Sequence, residues 1–222
     1  MHSLSGRLRT EYPILNTRLF KNNRVFTFSN LAALINYSAT YAVTFFLSLY
    51  LQYIRGLNAQ STGLILVSQP IVQVICSPFT GRLSDKIEPR IIASTGMSLT
   101  VVGLLLLTFL GKTTRFEFII GNLILLGIGF ALFSSPNINA VMSSVEQRFY
   151  GVSSGILATM RLTGQTLSMG ITVLIFAIHI GHVQIKIEYY QDFLRGMRSA
   201  FVLFAILCSG GVFASFIRGK VR

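Results

Sequence analysis

The ten residues Gly81-Arg82-Leu83-Ser84-Asp85-Lys86-Ile87-Glu88-Pro89-Arg90 lie between two long apolar stretches. They gather a glycine, a proline, two carboxylates and three cations into a connection too short to be a domain. A connection of that kind turns sharply at a membrane surface, and its charges mark which surface that is. Gly81 permits backbone angles closed to other residues and is expected to make the turn. Asp85 is expected near the N-terminus of the following helix, where the helix dipole favours an anion. Arg82, Lys86 and Arg90 are then within reach of it, or of anionic lipid.

Outward from this loop the chain is overwhelmingly apolar. Of its 222 residues, 52% are hydrophobic and only 12% charged, and the mean hydropathy is +0.63. Soluble domains carry about 25% charged residues. Apolar runs of about 20 residues, the length that crosses a hydrocarbon core of about 30 Å, recur along it. They are read as helices because an open sheet edge is not tolerated in lipid. Six spans are predicted, at 26–54, 59–80, 90–111, 116–133, 151–180 and 199–217. The first and fifth exceed the minimum length, which predicts tilt or extension beyond the bilayer. Three parts follow: a basic N-terminal segment at 1–25, a six-helix bundle at 26–217 and a basic tail at 218–222. Residues 8–26 are amphipathic, and read either as an interfacial helix on the cytoplasmic leaflet or as a connecting tail. No internal repeat or low-complexity tract is visible, and no cleavable signal peptide, because the first apolar run begins late.

The net charge of +12 would suggest nucleic acid in a soluble protein. Here the cations fall in the connections. Six crossings put both ends of the chain on one face, together with the loops 81–90 and 134–150. Twelve of the 19 Lys and Arg residues lie there and six on the other face, with Arg161 alone inside a span. That bias predicts a multi-pass protein of the plasma membrane with both termini cytoplasmic. The basic run Arg7, Arg9, Arg18, Lys21 and Arg24 has no aromatic platform beside it, so no nucleic-acid partner is expected. Cys76 and Cys208 lie in apolar segments and read as small hydrophobes rather than as a disulfide or metal ligands.

Candidate site residues are polar groups inside the spans. Arg161 lies about 15 Å along its helix from Gly151, where a charge costs about 2.5–3.5 kcal/mol and faces protein or water. Gln165 shares its face. The pair lines a cavity or meets a partner bundle; alternatively Arg161 snorkels, or is capped by backbone carbonyls. Gln69 and Gln73 share another face, with Pro70 between them and Pro78 beyond, and proline kinks a spanning helix. A bent, amide-lined helix suits a substrate path; equally, amides join neighbouring helices at about 0.6 kcal/mol per bond. Asn36 and Asn122 are candidates of the same kind, as is Asn30. Gly151, Gly155, Ala158, Gly164 and Ser168 have the spacing of a helix contact.

Gly151-Val152-Ser153-Ser154-Gly155 matches the nucleophile pattern of serine hydrolases. A continuous fifth helix would place Ser153 about 39 Å from His179, whereas a nucleophile needs its base within about 3 Å. No enzyme is expected. The seven acidic residues, Glu11, Asp85, Glu88, Glu117, Glu146, Glu188 and Asp192, all fall at or outside helix ends. Proton-driven carriers relay protons through buried carboxylates or histidines, and the spans offer no such carboxylate.

The loop resembles the Gly-x-Leu-x-Asp-Arg/Lys signature that joins the second and third helices of a six-helix bundle in the major facilitator superfamily. Asn30-Leu-Ala-Ala-Leu-Ile-Asn-Tyr-Ser38, Ser135-Pro-Asn-Ile-Asn-Ala-Val-Met-Ser143 and Gly151-Val-Ser-Ser-Gly-Ile-Leu-Ala-Thr-Met-Arg-Leu-Thr-Gly-Gln165 resemble the C-terminal bundle of its 14-helix drug/proton antiporters. The likeness runs over about residues 13–217. Glu88-Pro89 departs from the stronger first copy of the signature and is similar to the second. The resemblance implies an all-α membrane protein, one six-transmembrane-helix bundle of major facilitator type, and so a half transporter. It implies export of small amphipathic substrates with no cofactor beyond the proton gradient. The partner would be an N-terminal transporter half or a second copy, the latter unfavourable because Arg161 would face Arg161. Gly81, Arg82, Leu83, Asp85, Lys86 and Arg90 are then a conformational gate, or else a topology-setting turn. The rival reading is a non-transporting membrane subunit or an inactive fragment of a broken transporter gene.

Overall fold

Asn23 starts the bundle: its side chain accepts the N–H of Phe26 at 2.9 Å, capping a donor the first helical turn leaves unpaired. The computed structural model describes residues 23–179 and 189–217. Its helices are α1 (Arg24–Leu49, continued by a π-helical turn at Tyr50–Ile54), α2 (Ala59–Leu66), α3 (Ser68–Lys86), α4 (Pro89–Leu107), α5 (Phe116–Ser143), α6 (Tyr150–His179) and α7 (Tyr190–Ile217). No strand occurs among the described residues. Six of the resulting helical segments are long and apolar enough to cross a membrane, so the fold is the expected all-helical bundle. The expectations for residues 1–22 and 218–222 lie outside the described residues.

Local chemistry sets the joints. Gly56, at φ 66°, makes the left-handed step between the first two spans that other residues resist. Asn58 then accepts the N–H of Ser61 at 2.7 Å and opens α2. The second span is broken at Val67, whose N–H reaches the carbonyl of Gly63 at 2.9 Å while its own carbonyl takes Ile71 N–H at 3.1 Å. Pro70 has no N–H to offer across that joint. Pro78 and Pro136 are carried inside α3 and α5.

The quoted loop is mostly helix. Residues 81–86 are the last turns of α3, and the reversal is made by Ile87 and Glu88 before Pro89 takes the first position of α4. Gly81 is not the turn residue: a Cβ there would stand 3.2 Å from Ser135 Oγ, so its role is close approach to α5. Asp85 belongs to the end of α3, and Glu88 takes the N-cap of α4. Likewise α5 runs to Ser143, shortening the expected connection 134–150. α7 begins at Tyr190 rather than 199, because exposed Arg195 and Arg198 alternate with buried Phe193, Leu194 and Met197 on one amphipathic face.

The helices pack in a symmetric order. α3 lies on α5 and α6 on α1; α4 lies on α5 and α7 on α1; α4 and α7 meet in the middle. Exchanging each of the first three spans for the span three later maps these pairs onto one another. Three is odd, so the two sets of spans run in opposite directions, an inverted repeat that packing shows and residue identity does not. Close contact rests on glycine. A Cβ on Gly96 would lie 2.6 Å from the carbonyl oxygen of Gly129, and one on Gly164 would lie 2.4 Å from that of Leu34. Of the expected small-residue contact, Gly164 and Ser168 are buried, whereas Gly151, Gly155 and Ala158 are exposed.

Because backbone cannot swing aside as a side chain does, Gly164→Ala is predicted to destabilise the bundle by about 1–3 kcal/mol, the usual penalty of overpacking. Gly155→Ala, with nothing within 4 Å of the new methyl, should leave stability unchanged or slightly raised. Thermal unfolding of the two variants in the same detergent checks the pair.

Candidate solute-binding cavity

Tyr37, Thr40, Tyr41 and Thr44 recur at helical spacing and form a polar stripe along one face of α1. Phe130 and Ser134 come from α5, Gln73 from α3, and Arg161 and Gln165 from α6. Together these nine side chains line a cavity of about 350 Å³. α1 and α5 form its floor, and α3 and α6, each packed on one of them, form its sides.

Tyr37 is the hub. Its ring meets Phe130 edge-on at 5.1 Å between centroids. Its hydroxyl is 3.4 Å from Ser134 Oγ, and the Arg161 guanidinium carbon sits 4.6 Å from its ring centroid. The neighbouring residue locks the register: Ser38 Oγ donates to the carbonyl of Gly164 at 2.7 Å. The glycine that lets α6 approach α1 therefore lies between Arg161 and Gln165, and fixes both over the cavity.

Arg161 is held by the face of a ring rather than by an anion. Its Nε is buried with no hydrogen-bond partner among the described residues. The described ion pairs, Arg115–Glu117, Arg148–Glu146 and Arg195–Asp192, are all at helix ends. None of the cavity's lining residues is acidic. The site thus has one fixed cation, an aromatic floor, two amides and several hydroxyls.

The structure brings together three of the expected residues: Arg161, Gln165 and Gln73. It does not bring the others to the cavity. Gln69 is buried between α3 and α5, its carbonyl 2.7 Å from where a Cβ on Gly127 would stand. Asn122 donates to the carbonyl of Gly103 at 3.0 Å, joining α5 to α4. Asn36 is fully buried with both amide atoms unpartnered, and Asn30 donates to its own helix at Phe26 O, 2.9 Å. Gly81, Arg82, Leu83, Asp85, Lys86 and Arg90 lie at one end of the bundle, where Asn139 donates to Ser84 Oγ at 2.7 Å and ties α3 to α5. Ser153 and His179 stand near opposite ends of the unbroken α6, about 39 Å apart, with no hydrolase geometry between them. Sequence reasoning passed over Tyr37, Thr40, Tyr41, Thr44, Phe130 and Ser134. The four-residue stripe at helical spacing on one face of α1 is the signal that carries them.

The sequence profile of the Major Facilitator Superfamily matches residues 30–221. The chain belongs to that superfamily. Among curated proteins it is similar to the riboflavin transporter RibZ of Clostridioides difficile, at 29% identity over 69% of this chain and 34% of the relative. The lincomycin resistance protein LmrB of Listeria monocytogenes is 26% identical over 96% of the chain and 46% of the relative. The multidrug resistance protein Stp of Mycobacterium tuberculosis is 26% identical over 73% and 30%. The chain thus spans less than half the length of each of these relatives.

A desolvated cation over a tyrosine face contributes up to about 2 kcal/mol. The double-mutant cycle of Arg161→Gln with Tyr37→Leu is predicted to show a coupling of about 1 kcal/mol in the unfolding free energy. Additive effects would mean that the two side chains do not meet.

Proposed function

We propose that this chain is one half of an export carrier, a six-helix bundle that supplies one wall of a midplane solute cavity. The observation that carries the reading is the polar cavity open beside α1 and α5, with apolar side faces unclaimed by the rest of the bundle. Val74 on α3 and Ile178 on α6 are each 70% exposed, as flanking helices of a wall would be if a second bundle met them. In carriers of this superfamily two bundles rock about a site between them, related by an axis along the membrane normal. The relatives' greater length supports a half, and the names of three of them, which mention riboflavin, lincomycin and multidrug resistance, support small-molecule transport.

The partner in this reading is an N-terminal half rather than a second copy, since two copies would oppose two Arg161 side chains without an anion. With no carboxylate lining this wall, proton coupling falls to the other half. In this reading both chain ends are cytoplasmic and the membrane is the plasma membrane; the bias of twelve cations against six supports the orientation. The α3–α4 joint, with Arg82, Asp85, Lys86 and Arg90, is then the cytoplasmic gate. No catalytic step is assigned to the chain.

Proteoliposomes test the reading. The chain alone, given a pH gradient, should accumulate neither riboflavin nor lincomycin. Proteoliposomes that also hold the N-terminal bundle of a relative able to carry one of them should accumulate that compound, with Arg161→Ala lowering the rate at least about tenfold, the effect of about 1.4 kcal/mol. Gradient-driven uptake by the chain alone would contradict the half-carrier assignment.

A further inference from the structure

The relatives named as drug-resistance proteins leave the charge of this chain's own solute open, but the cavity does not leave it neutral. Its one charged lining residue is Arg161, whose buried Nε has no hydrogen-bond partner among the described residues. The ring of Tyr37 at 4.6 Å occupies one face of the group, and with Nε buried the two terminal nitrogens carry the N–H donors left for a solute in the cavity that Arg161 lines. An arginine edge offers parallel N–H donors that match a planar, delocalised oxyanion. Around it stand surfaces for a flat ring: Tyr37 and Phe130 meeting edge to face, and the exposed ring of Tyr41. Gln73 and Gln165 carry both donors and acceptors. Thr40 and Thr44 hydroxyls are turned back onto α1, at 2.9 Å from Asn36 O and 3.4 Å from Thr40 O. A cation entering this space would meet a like charge, which is unfavourable.

We propose that the cavity selects flat aromatic solutes bearing a delocalised anion, a carboxylate or an ionised phenol or imide, with the anion on Arg161 and the ring against Tyr37, Tyr41 and Phe130. The proposal rests on the reading of this cavity as a solute wall and adds the solute's charge. A carboxylate offered by a second bundle has the same chemistry, so the chain is measured first alone and then with that bundle present.

The test is fluorescence polarisation of two xanthene dyes of similar shape, anionic fluorescein and cationic rhodamine 123, titrated with the chain in nanodiscs of neutral lipid. Fluorescein should bind about tenfold more tightly than rhodamine 123. Arg161→Gln should remove that preference and Arg161→Lys should keep part of it. Arg115→Gln, which removes an equal charge at an exposed helix end, should leave it intact; this separates the site from the general attraction of a +12 chain. Arg161→Lys retains the charge and serves as the folded reference should Arg161→Gln unfold. Equal affinities, tighter binding of rhodamine 123, or a preference indifferent to Arg161→Lys and Arg161→Gln would overturn the anion proposal while leaving the wall in place. Binding of neither dye would sink the wall reading and the proposal with it. A preference lost on adding the second bundle would assign Arg161 to that bundle's carboxylate and overturn the solute assignment.

Discussion

A positive charge halfway along a membrane helix has to be kept from hydrocarbon, and in this bundle that requirement is met by the face of Tyr37. The ring provides an electron-rich surface where an isolated guanidinium would otherwise cost several kcal/mol. For the ring to serve, α1 and α6 must come within backbone distance, which only the missing side chain of Gly164 and the short hydroxyl of Ser38 permit. For the ring to stay put, Phe130 and Ser134 of α5 must hold its other side. Three spans are therefore fixed relative to one another by a chain of contacts that starts at one charge. The cavity is what remains between them.

The symmetric order of the helices explains why such a space exists. α4 and α7 meet at the centre, α1 and α5 lie beside them, and α3 and α6 lie outermost, packed chiefly on α5 and α1 respectively. The flanking helices bury little of themselves: Phe79 on α3 and Leu162 on α6 are both more than half exposed. Elsewhere four phenylalanines, Phe46, Phe176, Phe193 and Phe201, pack ring against ring. Tight packing and open surface are thus segregated.

The class of the fold was legible because membrane insertion is a requirement on length and hydropathy, which every residue of a span reports. Helix ends were harder to read. Arg195 and Arg198 looked like a loop, since a charge count does not distinguish an exposed helical face from a connection; buried Phe193 and Met197 make the difference. Gly81 looked like a turn, but a glycine serves close approach and reversal equally well, and only the presence of Ser135 opposite decides. Arg161, Gln165 and Gln73 could be read because polar groups are rare in spans. Gln69, Asn36 and Asn122 carried the same signal with a different outcome, since an amide facing another helix and one facing a cavity look alike in sequence. Tyr37 was invisible as the organising residue because its three partners come from two other helices, at separations no local pattern spans.

If the proposed wall is right, the Arg161–Gln165 face of α6 borders an aqueous cavity and not lipid. A nitroxide attached at Gln165→Cys, in a chain with Cys76 and Cys208 replaced, tests it directly when the protein is in bilayers. Power-saturation EPR should find that label colliding more with a water-soluble nickel chelate than with oxygen. A label at exposed Leu174 on the same helix should show the reverse. If the Gln165 label instead collided mainly with oxygen, the face would lie in hydrocarbon, and the cavity would have no place in transport.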